Sequence, residues 1–309
     1  MYYPYFRGKQ NELIMLRENA ELIAASNIHP IIEPVKNNLN PLVKSLQLLL
    51  AENCEFSIII NPKCGDLQDN PSLLINELTN EEILFHENVS VALILDEEIT
   101  LDDIKGYLQL YQNVKITLIH YGFSQSKPLK SLLEQFNIDL THIFIEEFAQ
   151  KRYRKAFQDD FRVLVRDGFK KRPNREHPSK EHFSDLHIMY EDEGMDGFGD
   201  FLINGDEYSE SGGPAYAVAI HLTYIDIEDD DDMFIKHYVS DRKDSPADPG
   251  GKFLEALEKL VNDSDPNIFH SNAHREFKKL AERQHFPGLG YVKKLSMQHH
   301  VELIADFLN

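Results

Sequence analysis

Seven short apolar runs, rich in β-branched residues and separated by stretches of helical period, constrain this chain more than any other feature. They are Tyr3–Phe6, Pro30–Val35, Phe56–Asn61, Val89–Leu95, Val114–His120, Thr141–Glu146 and Arg162–Arg166, and their starts recur mostly every 22 to 33 residues. Such near-continuous apolar strands belong to parallel sheets, whose faces are covered by helices. The intervening segments supply those helices. NELIMLRENAELIAAS puts Leu13, Leu16, Ala20, Ile23 and Ala24 on one stripe, PLVKSLQLLLAE and KSLLEQFNI behave alike, and Asn40-Pro41 and Asn70-Pro71 read as N-cap and first-turn pairs. GDFLI, Gly199–Ile203, supplies an eighth strand. The expected fold is therefore α/β, a TIM-like (β/α)8 barrel over residues 1–205. A doubly wound open sheet is the alternative, but no G-x-G-x-x-G follows the first strand.

Beyond Gly205 the period changes. Tyr216–Ile227 and Met233–Ser240 alternate as an antiparallel hairpin around the turn Glu228–Asp232; PADPGG breaks the pattern, and helices follow at KFLEALEKLVND, Asn272–Gln284 and Lys293–Leu308. Residues 206–309 are expected to form a hairpin-plus-helices extension packed on the barrel. The Asp229–Asp232 run lacks the Gly and Glu spacing of a calcium loop and reads as a solvated hairpin tip.

Composition narrows the function classes. The 42% hydrophobic content suffices for a packed interior. The longest apolar runs are too short to span a bilayer, and MYYPYFRGKQNE lacks the apolar stretch of a signal peptide, so a cytoplasmic location is expected. Cys54 and Cys64 are the only cysteines; they are expected to be reduced, and they lack the spacing of a structural zinc site. A net charge of −20 disfavours non-specific binding to nucleic acid or an anionic membrane. The charge is segregated. Lys151–Lys180 holds eleven Lys/Arg against four Asp/Glu, and Glu181–Ile235 holds sixteen Asp/Glu and no Lys/Arg. Mutual compensation is the plainer reading; the sharper one is a basic patch beside an acidic patch, each for a partner.

In a (β/α)8 barrel, functional groups sit where the strands run into the βα loops. Here the strand ends deliver Arg7, Lys9 and Glu12, then Glu33 and Lys36, Lys63, Asp96, His120, Glu146, Arg166 and Asp167, and Asp200. Polar residues bound most strands anyway, so a structural role competes throughout. Glu33 and Asp96 directly follow strongly apolar runs, where desolvation favours a raised pKa, a metal or a cationic partner. Glu33, Asp96, Asp167 and Asp200 are the candidate catalytic acids. Glu33, Asp96 and Asp200 are the candidate metal ligands, with Mg²⁺ or Mn²⁺ as the expected ion because hard cations take oxygen ligands. Arg7, Lys9, Glu12, Lys36, His120, Arg166 and Asp185 are candidate ligand-binding residues, the cations among them suited to a phosphate or carboxylate.

The histidines add two further expectations. His299 and His300 are adjacent on a helix, point about 100° apart, and suit a surface or capping role better than a shared ligand pair. His221 falls opposite His237 if the hairpin closes at the acidic turn; such a pair can bind a metal, although packing or hydrogen bonding is the commoner use. There is no G-x-S-x-G, and Ser209 and Ser211 have no evident base. The stretch from Gly197 to Gly213 gathers glycines, Asp206, Ser209 and Ser211, as in an ordered loop whose acids serve a site or hold the loop.

R-G-x-x-x-E at Arg7–Glu12, with Ile32-Glu33, resembles glycerophosphodiesterases, but Phe6 replaces the usual histidine and E-P-V replaces the metal-binding E-x-D. A broader resemblance rests on Y-x-P-Y-x-R-G-K-Q, PIIEPVK, F-S-D-x-H at Phe183–His187, G-F-G-D-F, N-G-D-E-Y-S-E-S-G, A-V-A-I-H, K-H-Y-V-S-D, K-F-x-E-A-L and F-P-G-L-G-x-V-K-K-L-S. In these the chain resembles the phage beta-protein-like family, in its uncharacterised bacterial branch. The resemblance implies a bacterial or phage protein encoded near a protein partner in mobile or defence-like regions. It brings no activity with it. Two functions are expected in competition: a ligand-binding interaction component of a mobile-element or anti-phage defence module, and a divalent-metal-dependent, phosphodiesterase-like hydrolase acting on a small phosphorylated substrate at the barrel mouth.

Overall fold

The computed structural model describes residues 1–210 and 212–309; Ser211, read above as a loop-ordering hydroxyl, lies outside the described residues. Contacts divide the chain into two compact units, Met1–Arg166 with Met189–Asp200, and Asp167–Ile188 with Phe201–Asn309.

The first unit is the barrel. Its strands are β1 (Tyr5–Phe6), β2 (Ile31–Ile32), β3 (Phe56–Ile59), β4 (Val89–Leu95), β5 (Lys115–His120), β6 (Leu140–Ile145) and β7 (Phe161–Val165). The chain then leaves for β8 (Lys180–Ser184) and returns with β9 (Gly197–Gly199), which pairs parallel with β7. All neighbouring pairs in the order β1 to β7, then β9, are parallel. Tyr2 closes the ring with a parallel bridge to Phe198, and the N–H groups of Tyr3 and Tyr5 donate to Phe198 O and Asp200 O at 2.8 and 2.9 Å. The fold is a (β/α)8 barrel.

The eighth strand lies two residues earlier than the sequence suggests. Phe201–Ile203 is apolar because it is buried, yet it turns: Leu202 takes a positive φ of 50°. The glycines win the strand position because closure is tight there. A Cβ on Gly199 would stand 2.1 Å from Tyr3 O.

The second unit is built on a three-stranded antiparallel sheet, β10 (Ala219–Asp226), β11 (Asp232–Val239) and β8, in the order β10-β11-β8. The acidic run forms the β10–β11 turn, with Asp230 and Asp231 at positive φ. Val218, Ile220 and Leu222 pack with Phe253, Leu257, Phe277 and Leu295 from the helices Pro249–Val261, Asn272–Glu282 and Leu289–Leu308. PADPGG starts a helix rather than merely ending a strand. Asp248 is the N-cap, accepting from Gly251 N–H at 2.9 Å, and Pro249 occupies the first turn.

The expectation that His299 and His300 lie at the surface is corrected: both are fully buried. His299 bonds Ser271 Oγ at 2.7 Å and Thr223 O at 2.8 Å, and His300 bonds Thr223 Oγ1 at 2.8 Å. The last helix is covered on more than one side, so two adjacent positions can both point inward. No helix among the described residues is long and apolar enough to cross a membrane.

Candidate functional site

The ends of β1 to β5 bring one continuous group of charged side chains together in the first unit. It starts at Glu33, which follows β2 and continues the ladder by donating from its N–H to Phe6 O at 2.8 Å. Its side chain is 0% exposed. Oε2 accepts from the Tyr5 hydroxyl at 2.8 Å and from Arg7 Nη1; Oε1 accepts from the Lys63 N–H at 2.7 Å. Burying a carboxylate costs several kcal/mol unless charge and hydrogen bonds offset it, and here both do. Arg7 is held in turn. Its N–H donates to Glu12 Oε2 at 2.6 Å, and its guanidinium lies 4.8 Å from the centre of the Tyr5 ring.

Two glycines make this convergence possible. Gly8 has φ +61°, and a Cβ there would lie 3.0 Å from Glu33 O. Gly65 has φ +75°, and a Cβ there would lie 2.3 Å from Val35 O. The loop after β3 can therefore press against the end of β2 and present the Lys63 N–H to Glu33.

Lys63 carries the group onward. Its Nζ stands 3.8 Å from Asp96 Oδ2 and 4.5 Å from the centre of the Tyr121 ring. The other oxygen of Asp96 accepts from the N–H groups of Glu98 and Ile99 at 3.0 and 3.1 Å, so Asp96 also fixes its own loop. Tyr121 stacks on Phe148, with centroids 4.4 Å apart and planes 22° apart. Phe148 is 42% exposed, and the side chain of Lys63 is 36% exposed. The group thus runs from a sealed ion pair to an open aromatic shelf with a cation beside it.

The remaining predicted residues have other surroundings. Lys9 occupies the N-cap position of the helix Gln10–Glu18 with no side-chain capping bond, and Lys36 is half-buried beyond β2. Arg166 makes a two-pronged pair with Glu146, at 2.6 and 3.0 Å. Asp200 is buried and accepts from the Tyr2 hydroxyl at 2.8 Å; burial and that neighbouring carboxylate raise the Tyr2 pKa well above its ordinary value. Asp167 and Asp185 belong to the second unit. Asp167 accepts from the N–H groups of Phe169 and Asp206 at 2.9 and 2.8 Å, so it ties down the segment around Gly205, which takes φ +71° beside it. Asp185 sits half-buried between β8 and the short helix Leu186–Met189. Among the described residues, Glu33, Asp96 and Asp200 do not gather as three adjacent ligand atoms; the only such set is made of histidines.

His120 departs most from expectation. It lies behind the strands, not at the mouth, because alternation puts Ile119 and Tyr121 on one face and His120 on the other. Its Nδ1 is 2.7 Å from Tyr153 Oη, its Nε2 is 2.9 Å from His142 Nδ1, and both rings pack on Phe157. Burial, then the neighbouring His142, pushes the His120 pKa well below its ordinary value. Tyr121 stands beside His120 at the end of the fifth apolar run and was legible there; Tyr5 and Phe148 were not.

No family model matches the chain, and no curated protein does. Among solved structures, it is similar to N-acetylneuraminate lyase from Mycoplasma synoviae, at 11% identity and TM-score 0.41, over 66% of this chain and 69% of that one. It is also similar to tryptophan synthase from M. tuberculosis, at 9% identity and TM-score 0.39, over 65% of this chain and 83% of that one. Likeness at this level is distant and says nothing of chemistry.

Proposed function

We propose that the barrel is a binding component for a small aromatic anion, held with its ring on the Tyr121–Phe148 shelf and its phosphate or carboxylate at Lys63. The observation that carries this reading is the exposed shelf with an ammonium beside it at the mouth. An aromatic pair gives a planar ligand a stacking surface, and the half-exposed cation adds charge complementarity. Lys63 is 3.8 Å from Asp96, beyond hydrogen-bonding distance, so an incoming anion has donors to engage.

The hydrolase reading is the weaker one. Both oxygens of Glu33 already accept hydrogen bonds, Asp96 holds its own loop, and Asp200 is engaged by Tyr2. More to the point, the three carboxylates are not gathered within ligating reach of one another. A protein partner in a mobile-element or defence module rests on the sequence resemblance and on the charge segregation. The charge segregation lends it little, because six of the basic residues pair within the acidic stretch: Lys151 and Arg154 with Glu193, Lys170 and Arg172 with Glu181, Lys171 with Glu207, and Lys180 with Asp226.

The test is a thermal-shift titration with phenyl phosphate, using inorganic phosphate as control. A ligand that binds only the folded state stabilises by about 2.7 kcal/mol at a hundredfold excess over Kd. Stabilisation by phenyl phosphate that is lost in Lys63→Ala and in Phe148→Ala supports the reading. Equal stabilisation of the variants, or none in the wild type, rules it out.

A further inference from the structure

The second unit contains a histidine cluster that the mouth does not use. We propose that His177, His221 and His237 form a binding site for a divalent transition metal of the zinc class. The sheet register builds it. His221 of β10 stands directly opposite His237 of β11, and His237 N–H donates to Ser179 O, which brings the segment before β8 alongside. His177 lies on that segment. The three ring centroids form a triangle with sides of 4.3, 4.9 and 5.0 Å, and one ligand nitrogen from each ring lies within 4.8 Å of the others. The Phe169 ring edges against the His221 and His237 rings.

Hydrogen bonding fixes which nitrogens are available. Glu181 is gripped by Arg172, whose Nη2 donates to its two oxygens at 2.8 and 2.7 Å. Its Oε1 is 3.0 Å from His237 Nε2, so that nitrogen donates and Nδ1 keeps its lone pair. This Nδ1 is 2.7 Å from His221 Nδ1. His221 Nδ1 therefore carries the proton between them, and ligation at that atom requires His221 to take its other tautomer, with the proton on Nε2. Two nitrogens on a tetrahedral zinc, each at 2.0–2.1 Å, stand about 3.3 Å apart, so the His221 and His237 nitrogens, 2.7 Å apart, need to part by about 0.6 Å while the His177 ring closes on them. The third member supplies the independent observation. His177 Nδ1 is buried with no hydrogen-bond partner, and its nearest acidic atom, Glu181 Oε1, is 3.8 Å away. Buried nitrogens are rarely left so.

The chemistry of the donors selects the ion. Imidazole nitrogens suit zinc, nickel or copper, whereas magnesium and calcium require oxygens. Glu181 plays the part of the outer carboxylate that orients a ligating histidine. Three protein donors leave a fourth tetrahedral position for an exogenous ligand.

The full chain, stripped with EDTA and dialysed, is titrated with Zn²⁺ by calorimetry and with Co²⁺ by visible spectroscopy. One saturable equivalent and intense four-coordinate Co²⁺ bands are expected. His177→Gln and His221→Gln should each abolish that site, and His285→Gln, at an exposed position, should retain it. Glu181→Gln should weaken binding by roughly 10- to 100-fold. Circular dichroism of the metal-free variants checks their folding. If the variants unfold, the wild-type Co²⁺ spectrum decides alone. Absence of stoichiometric binding, a weak octahedral spectrum, or unchanged binding in folded histidine variants would overturn the proposal.

Discussion

Replacing Glu33 with glutamine tests the buried centre of the barrel mouth. Three donors converge on this fully buried carboxylate: the Tyr5 hydroxyl, the Lys63 N–H and the Arg7 guanidinium. Glutamine offers one oxygen and an NH2 group, so at least one donor meets another donor. Arg7, 7% exposed, also loses its counter-charge. Breaking a buried pair by removing one partner costs about 3–5 kcal/mol. At roughly 2–4 °C per kcal/mol for a unit of this size, the barrel transition should fall by about 6–20 °C. Differential scanning calorimetry reads this, and adding Arg7→Met to Glu33→Gln should recover part of the loss, because no unpaired charge then remains and the glutamine oxygen still accepts from one of the other two donors. A Glu33→Gln transition within about 3 °C of wild type, equivalent to roughly 1 kcal/mol, would mean that the buried pair contributes little to the barrel.

Acid should destabilise the fold through its buried histidines. Burial holds His142 at about 4 and His299 at about 3. Below the ordinary imidazole value of about 6.5 the unfolded chain takes up protons that the folded chain refuses. Their contribution is therefore complete above that pH and is lost as pH falls toward the folded values, by up to about 1.4 kcal/mol per pH unit for each group. Urea midpoints measured from neutral pH to about pH 4.5 check this, and a flat profile contradicts it. Cys54 is buried, its Sγ is 3.1 Å from Ala20 O, and burial pushes its pKa up to about 11, whereas Cys64 is half-buried. Ellman's reagent should therefore modify one thiol in the native protein and both in denaturant; two fast native thiols would contradict the burial. Gly199→Ala should cost at least about 1–3 kcal/mol by overpacking the closure against Tyr3 O, read as a lower urea midpoint, and a neutral result would place closure elsewhere.

The barrel was legible because its signal is repeated. Each of β3 to β7 overlaps an apolar run whose burial on both faces leaves no alternation to misread. The eighth strand was misplaced because GFGDFLI has two apolar halves, and only the close approach of Tyr3 O shows which half must be glycine. β8 was missed for the opposite reason: Lys180, Glu181 and His182 make its first half polar. Glu33 was legible as a carboxylate ending an apolar run. Its partners were not, since Tyr5 read as part of a strand and Lys63 acts through its backbone N–H. The pairing of His221 with His237 followed from the hairpin, but His177 joins them through the β11–β8 pairing, which local periodicity does not encode.

Whether the mouth of the barrel holds an aromatic anion is tested most directly by a crystal structure of the protein soaked with phenyl phosphate. Ring density is expected stacked on Phe148 or Tyr121, with the phosphate within hydrogen-bonding distance of Lys63 Nζ. A bound ligand elsewhere, with the shelf bare at saturating concentration, would contradict it.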